Sequence, residues 1–498
     1  MAETPGSAHD NTATSAPPRN LSVDYYRVSG VMLIVFGHWL LSSVTYKSGE
    51  FGLEQPLVDI PWTQWLVWLM QAVPVFFLAA GYASAVSWAH WRDTQKMTRQ
   101  EWVRRRLSST LGPTGAYLAF IWTLMIVAKL AGAPAAVLTY AGWAVAMQLW
   151  FLAVYSIVVY LTPIGIAAQR RWGLWVPAAL GLCVALVDLL SYAADVPYLN
   201  WANYLLCWGA MYTLGIAWYD GRFDERRFSA RKRPAADNTG RFDERRFSAR
   251  KRPAADNTGR FDERRFSARK RPAADNTGRF SGPGPIPLVM LGVSAVMLAV
   301  LIGYGPYPVC MIDIPGQHIQ NSSPPSLAMF FFGCAQTGIA VTLGPMVTRA
   351  MSGRRIRGVL AVANNNVMAL YLWHMVPVVV VAAIAYPAGL LPQFPENSGS
   401  WWLMRGVWVI LLAVVTAGEM LVLFKLRRIF ASALPAIRVA ASARWTDLCL
   451  LVGVALAAYG ITVVSAAGFA PDGAIPWHAI GAFAAGAVLV AIEPRARS

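Results

Sequence analysis

Residues 24–40 read DYYRVSGVMLIVFGHWL, an apolar stretch with an arginine near its start and a histidine inside it. A helix that crosses a bilayer needs about 20 mainly apolar residues, and ionisable side chains are costly there. Arg27 and His38 are eleven residues apart, close to three helical turns. The spacing predicts that both side chains lie on one face of one helix, about 16 Å apart along its axis.

Similar apolar windows recur along the whole chain of 498 residues, of which 56% are hydrophobic and only 14% charged. Soluble domains carry roughly 25% charged residues, so this composition excludes an ordinary soluble protein. We predict an all-α polytopic membrane protein with about 12 transmembrane helices, a ten-helix core followed by two C-terminal helices. The windows are residues 28–46, 61–88, 107–132, 138–163, 174–192, 201–219, 285–303, 326–346, 358–386, 402–424, 446–466 and 473–492.

Lysine and arginine are distributed unevenly between the predicted loops. Apart from Lys47, Lys129 and Arg405, they fall in alternate loops, and positive loops face the cytoplasm. The prediction is therefore that both termini are cytoplasmic. Insertion in a lipid bilayer accounts for the net charge of +17 without a nucleic-acid partner.

The chain divides into five segments by composition. Residues 1–23 are predicted to be a disordered cytoplasmic tail, 24–220 and 281–430 the two parts of the helical core, and 431–498 the two extra helices. Residues 221–280 contain GRFDERRFSARKRPAADNT three times in tandem. We interpret this repeat as a flexible cytoplasmic loop, with a basic arm that binds anionic lipid as the alternative.

Six ionisable side chains fall within or at the edge of the apolar windows, and each is a candidate site residue. An arginine at the cytoplasmic edge can hold the phosphates of an acyl-CoA, and a neutral imidazole deeper in can take a proton from an attacking hydroxyl. The pattern is typical of acyl transfer, but a histidine that merely joins two helices by a hydrogen bond fits it equally well. The six residues are Asp24, Arg27, His38, Asp188, His374 and Glu419.

Four segments in order resemble the acyltransferase 3 family of bacterial integral membrane O-acyltransferases. Asp24-x-x-Arg27, ten residues and His38 are similar to its first-helix motif, and VPVFFLAAGY (73–82) to its second-helix segment. LWFLAVY (149–155) and NNNVMALYLWHMVPV (364–378) resemble its Trp-Phe-Leu and Tyr-Leu-Trp-His segments. The combination covers about residues 22–430 apart from the repeat.

This resemblance implies a bacterial inner membrane enzyme that moves an acyl group, acetyl in our expectation, from cytoplasmic acyl-CoA to a hydroxyl of an envelope sugar or glycolipid. It assigns catalysis to Arg27 and His38, with Arg27 also holding the donor. The family often has an Arg-x-x-Arg motif after its second helix. Here Arg104, Arg105 and Arg106 are contiguous instead. We predict that they bind the donor phosphates, and an ordinary positively charged cytoplasmic loop is an equally good alternative.

The remaining candidates receive supporting roles. His374 is predicted to assist catalysis, and a helix-packing histidine is the alternative. Trp150 is expected to line the binding site of an acceptor sugar. Asp24, Asp188 and Glu419 are expected to contact substrate, and a structural pairing with Asn203 is the alternative for Asp188. The cysteine and histidine spacing suggests no metal site.

Two other functions remain open from the sequence. A transporter or flippase would also be a basic polytopic protein with buried charges, but carriers tend to have two similar halves, and we find no such symmetry. A polysaccharide-binding scaffold that has lost activity is the other, because the Arg-x-x-Arg motif is missing.

Overall fold

The protein is described here by a computed structural model that covers residues 20–94, 97–224 and 283–495. These residues form an almost wholly helical bundle, which confirms the all-α prediction. The 1–23 tail up to Arg19 and the repeat segment beyond Asp224 lie outside the described residues. The α-helices of the described part are α1 (Leu21–Leu41), α2 (Pro56–Asp59), α3 (Thr63–Met70), α4 (Val73–Thr94), α5 (Arg99–Leu130), α6 (Ala135–Ala144), α7 (Trp150–Trp172), α8 (Trp175–Ala193), α9 (Asn203–Tyr219), α10 (Ile286–Gly303), α11 (Leu327–Ala350), α12 (Arg354–Trp373), α13 (Val376–Ala385), α14 (Gly399–Lys425), α15 (Arg427–Phe430), α16 (Ala443–Ala467) and α17 (Trp477–Ala491).

The strands are short and lie at the ends of the bundle. β1 (Val44–Lys47) and β2 (Glu50–Leu53) form an antiparallel hairpin directly after α1, with Val44 opposite Leu53. β3 (Ile437–Val439) precedes α16 and β4 (Ile492–Pro494) follows α17, and the two strands pair in parallel.

Helices occupy all twelve apolar windows, but they differ in how well they suit a bilayer. Within the described residues, eight spans are long and apolar enough to cross a membrane, or nine when the bent pair α12–α13 is counted as one. The other three windows fall on α1, α9 and α17, which do not meet that test. In α1 the reason is chemical, since Asp24, Arg27 and His38 lower its hydropathy.

Small residues bring α4 and α9 into close contact. A Cβ atom on Gly81 would overlap the backbone oxygen of Tyr212, and one on Gly215 would overlap that of Leu78. Glycine at both positions therefore lets the two backbones touch, as is common between membrane helices. This contact explains the glycine at the end of the 73–82 segment.

The α12–α13 pair is bent by 51° at His374 and Met375. Pro377 follows three residues after His374, and a proline inside a helix removes a backbone donor and clashes with the preceding turn. The bend frees backbone carbonyls inside the bundle, and these need other donors. The Nε1–H of Trp39 donates to the carbonyl oxygen of His374 at 2.8 Å and satisfies one of them.

The C-terminal pair α16–α17 is part of the bundle. A Cβ atom on Gly460 would lie 2.8 Å from the backbone oxygen of Ala479, so the two helices pack backbone to backbone. Helix α16 packs on α7, and α17 packs on α5. Buried Arg104 of α5 donates to the carbonyl oxygen of Thr446 at 3.1 Å, which ties the pair to the core.

Candidate functional site

The structure brings together two histidines that are far apart in the sequence. His38 lies near the end of α1 and His374 at the α12–α13 bend, and their Nδ1 and Nε2 atoms are 2.9 Å apart. The two rings stack with centroids 5.1 Å apart. His374 is fully buried, whereas His38 is half-buried. The imidazole pair is therefore reached from the His38 side.

The hydrogen bonds around the pair determine where its protons are. The Nδ1 atom of His374 is 2.8 Å from the carbonyl oxygen of Tyr371, which can only accept, so Nδ1 carries the proton. In a neutral imidazole the Nε2 of His374 is then an acceptor, and the Nδ1–H of His38 donates to it. The Nε2 of His38 keeps its lone pair, and no described residue hydrogen-bonds to it.

A cavity of about 990 Å³ opens beside His38. Its wall includes residues from α1, α3, α6, α7, α9, α13 and α16, together with the hairpin β1–β2 and the loop between α10 and α11. A volume of this size suits a small-molecule substrate, because ligand pockets commonly measure about 300–1,000 Å³. The histidine pair thus faces a space that a substrate can enter.

Polar side chains form part of this cavity wall. Glu54 follows the hairpin, and Asp313, Gln320 and Ser322 come from the loop between α10 and α11. The Oδ1 of Asp313 accepts from the Ser322 hydroxyl at 2.9 Å, and burial raises the pKa of the Asp313 carboxyl. The carboxylate oxygens of Glu54 and Asp313 can accept further hydrogen bonds from a hydroxylated ligand in the cavity.

A second, smaller cavity of about 40 Å³ lies on another side of His38. Phe151 and Tyr371 are among its lining residues. Phe151 stacks on Tyr155 with ring centroids 5.7 Å apart, and the Nη2 of Arg106 donates to the Tyr155 hydroxyl at 3.4 Å. A line of aromatic rings therefore leads from the small cavity to Arg106.

The three contiguous arginines point in different directions. Arg106 faces the interior, where its Nη2 also donates to the Ser84 hydroxyl at 3.2 Å. Arg105 is exposed and lies over the Trp91 ring at 4.3 Å, and Arg104 is buried against Thr446 of α16. Of the three predicted donor-binding residues, Arg106 has the position that leads toward His38.

Arg27 and Asp24 lie at the other end of α1 from His38. Arg27 is half-buried, and neither residue is among those that line the two cavities. The Nδ2 of Asn364 donates to the Oδ1 of buried Asp24 at 3.2 Å, which joins α1 to α12. Both candidates are thus separated from the histidine pair by the length of the helix.

Both carboxylate oxygens of Asp188 are engaged by protein donors. Its Oδ1 accepts from the Nδ2 of Asn203 at 2.7 Å, as the structural alternative predicted. Its Oδ2 accepts from the Tyr307 hydroxyl at 2.8 Å and from the Leu327 amide at 2.7 Å. With both oxygens engaged and only 2% of the residue exposed, Asp188 has the environment of a structural residue.

The last two candidates differ in their relation to the cavity. Trp150, at the start of α7, lines both cavities together with His38. Glu419 lies on α14 outside them, and its buried Oε2 has no hydrogen-bond partner among the described residues. The structure therefore groups Trp150, but not Glu419, with the histidine pair.

Sequence reasoning missed several residues of this cavity. Glu54, Asp313 and Gln320 lie in loops, where no helical period marks a cavity-facing side. Thr462, Ser465 and Ala466 come from α16, which was predicted as an accessory helix. The one local signal was Pro377, which implies a broken helix close to His374.

One comparison with known proteins gives a match. A family model described as an acyltransferase domain, that of the acyltransferase 3 family, matches residues 20–424. No curated protein and no solved structure matches the chain. The matched residues include α1 to α13 and end within α14, so α16 and α17 lie beyond them.

Proposed function

The chain belongs to the acyltransferase 3 family, and we propose that it is an O-acyltransferase which moves a short acyl group, acetyl in the simplest case, from acyl-CoA to a hydroxyl. One observation carries the proposal. The hydrogen bonds from the Tyr371 carbonyl through His374 to His38 leave the Nε2 of His38 unprotonated beside a cavity of about 990 Å³. A neutral imidazole in that state is a general base.

In the proposed reaction the acceptor hydroxyl donates its proton to the Nε2 of His38 while its oxygen attacks the thioester carbonyl. The carbon–sulfur bond then breaks, and the CoA sulfur takes the proton from His38. His374 contacts neither reactant in this scheme. It holds His38 in the required tautomer and orientation, the role that a carboxylate plays for the histidine of a serine protease.

The donor is proposed to approach through the smaller cavity. Phe151 and Tyr371 line this cavity of about 40 Å³, which admits the pantetheine arm only if their side chains move apart, and Arg106 lies beyond Tyr155 for a phosphate. Arg27 is proposed to act on the donor because it lies near the N-terminal end of α1, away from both cavities. The acceptor, an envelope sugar or glycolipid, would occupy the large cavity beside Trp150.

The cellular setting is part of the proposal. The distribution of lysine and arginine supports cytoplasmic termini. Donor entry from the cytoplasm and acceptor entry from the opposite face of a bacterial inner membrane complete the proposal, because His38 lies near the end of α1 that is remote from its N-terminus.

Thiol release from acetyl-CoA by the purified protein, reconstituted with envelope lipids, tests the proposal. We expect His38→Ala to lower the rate about 10²–10⁴-fold, the usual contribution of general base catalysis. His478→Ala removes an exposed histidine and should leave the rate unchanged. A wild-type rate equal to that of His38→Ala would contradict the proposal and favour a transporter or an inactive scaffold.

A further inference from the structure

The large cavity continues as an apolar strip along one face of α7. Trp150, Ala153, Val154 and Ile157 line it, and we call these four residues the α7 strip. Their spacing of three, four and seven residues places them on one helix face, over about 10 Å of helix length. The cavity therefore combines polar side chains, among them His38, Glu54 and Asp313, with an apolar face along α7.

Two helices flank the α7 strip. Helix α9 contributes Tyr204 and Leu205 on one side, and α16 contributes Thr462, Ser465 and Ala466 on the other. Helix α7 packs against both of them. Because α16 lies beyond the matched residues 20–424, a helix outside the family domain forms one wall of this part of the cavity.

Helix α16 also holds the start of α7 in place. No side chain of its own caps α7, and the Trp150 amide donates instead to the Ser465 hydroxyl at 3.0 Å. Just past the end of α16, the Phe469 amide donates to the carbonyl oxygen of Gly142 in α6 at 3.3 Å. The position of Trp150, the first residue of the α7 strip, thus depends on α16.

The chemistry of the strip indicates what it binds. Ala153, Val154 and Ile157 offer no hydrogen bonds, and the hydroxyls of Thr462 and Ser465 in the neighbouring wall already donate to backbone carbonyls. A sugar would therefore leave most of its hydroxyls unpaired there, at a cost for each. An alkyl chain gains favourable transfer free energy with every buried methylene. The occupant of the strip must nevertheless carry a polar head, because the strip lines the same cavity as the polar side chains.

We propose, on the basis of the proposed acyl transfer, that the acceptor is a lipid with a hydroxylated head. The head lies beside His38, and the alkyl chain lies along the α7 strip between α9 and α16. Thr462 and Ala466 are then specificity-determining residues, since they form the α16 wall against which the chain packs.

Acetyl transfer to alkyl β-glucosides of increasing chain length, from butyl to dodecyl, tests this assignment with the full-length protein in nanodiscs. We expect kcat/KM to rise with chain length and free glucose to be the poorest acceptor. Ala466→Leu should lower kcat/KM for the dodecyl glucoside about tenfold by filling the chain site, with little effect on the butyl glucoside. Ala467→Leu makes the same change at the next position, which is exposed and outside the cavity lining, and should have no effect.

A binding measurement separates this inference from the catalytic proposal. A dodecyl glucoside with a diazirine in its chain should crosslink to α7 or α16 in both the wild type and His38→Ala. Crosslinking by the wild type without acetyl transfer would contradict the catalytic proposal but support the lipid site. Transfer rates independent of chain length, equal effects of Ala466→Leu and Ala467→Leu, or crosslinking elsewhere would overturn the lipid site.

Discussion

Two of the buried polar networks among the described residues differ in what their central side chain leaves for a ligand. We call the network around Asp188 closed, because both of its carboxylate oxygens are engaged, and the one around His38 open, because one of its ring nitrogens is not. Asp188 uses both oxygens on three protein donors. The histidine pair forms a chain of hydrogen bonds that starts at the Tyr371 carbonyl and ends on a free nitrogen beside a cavity. A buried polar residue is thus a candidate for chemistry when one of its own polar atoms stays unpaired beside a cavity, and a candidate for stability when protein groups engage all of them.

Replacing His374, the buried member of the open network, should have the largest effect on turnover. His374→Ala deletes the acceptor that holds the Nδ1–H of His38, so we expect turnover to fall about 100-fold, within the range that a general base contributes. Adding His38→Ala should then cost little more, because residues that act as a unit are not additive. Steady-state rates of the two single variants and the double variant measure this, and multiplicative losses would show that the histidines act independently.

Removing the centre of the closed network should instead reduce stability. Asp188→Ala leaves buried donors of Asn203, Tyr307 and Leu327 without an acceptor, at about 1–3 kcal/mol for each one that stays unpaired. We expect a lower Tm in detergent and unchanged turnover per folded molecule. Cys183→Ala, at an exposed position of the same helix, is the control. A loss of turnover at unchanged Tm would place Asp188 in the site.

The arginines extend the comparison to the donor side. Arg106→Ala removes the cation that faces Tyr155, whereas Arg105→Ala removes an exposed one. We expect the first to raise KM for acetyl-CoA about tenfold, since hydrogen bonds to charged groups contribute roughly 1.5–3 kcal/mol. The second should leave KM unchanged. Initial rates over a range of acetyl-CoA concentrations distinguish them, and equal effects would argue against a route along Phe151 and Tyr155.

The smallest effect concerns a carboxyl group in the loop between α13 and α14. Burial, and then the charges of Asp59 and Glu54, raise the pKa of Glu396 from its usual value to about 7. A raised pKa means that the folded state holds this proton more tightly. The contribution of the protonated Glu396 carboxyl to the free energy of unfolding is therefore present at low pH, and it is lost as the pH rises through about 7. Glu396→Gln should flatten the fall in Tm between pH 5 and 8, measured by thermal unfolding. A parallel fall in both proteins would contradict the assignment.

The pattern of α1 could be predicted because its causes are local. The spacing of Arg27 and His38 places them on one face of any helix, and Asn203 was near enough in the chain to be named as the partner of Asp188. The partner of His38 could not be identified in this way. His374 is 336 residues away, and its buried position depends on the bend of the α12–α13 pair against α1.

The three arginines show the same limit at short range. Arg104, Arg105 and Arg106 look equivalent in sequence, but successive helical residues point about 100° apart. Contact with α16, the surface and the interior then gives each a different environment. Which of them faces the interior was decided by what packs around α5.

The sequence alone establishes that this chain is a polytopic helical membrane protein with a charged and titratable face on its first helix. Hydropathy and helical periodicity depend only on residues that lie within a few turns of one another. Only the packing of the helices determines that the Nδ1–H of His38 donates to His374 and that the Nε2 of His38 keeps its lone pair. It also determines that α16 forms part of the cavity wall beside them. The physical reason is that side-chain hydrogen bonds and cavity walls form between helices, and the distance along the chain says little about which helices become neighbours.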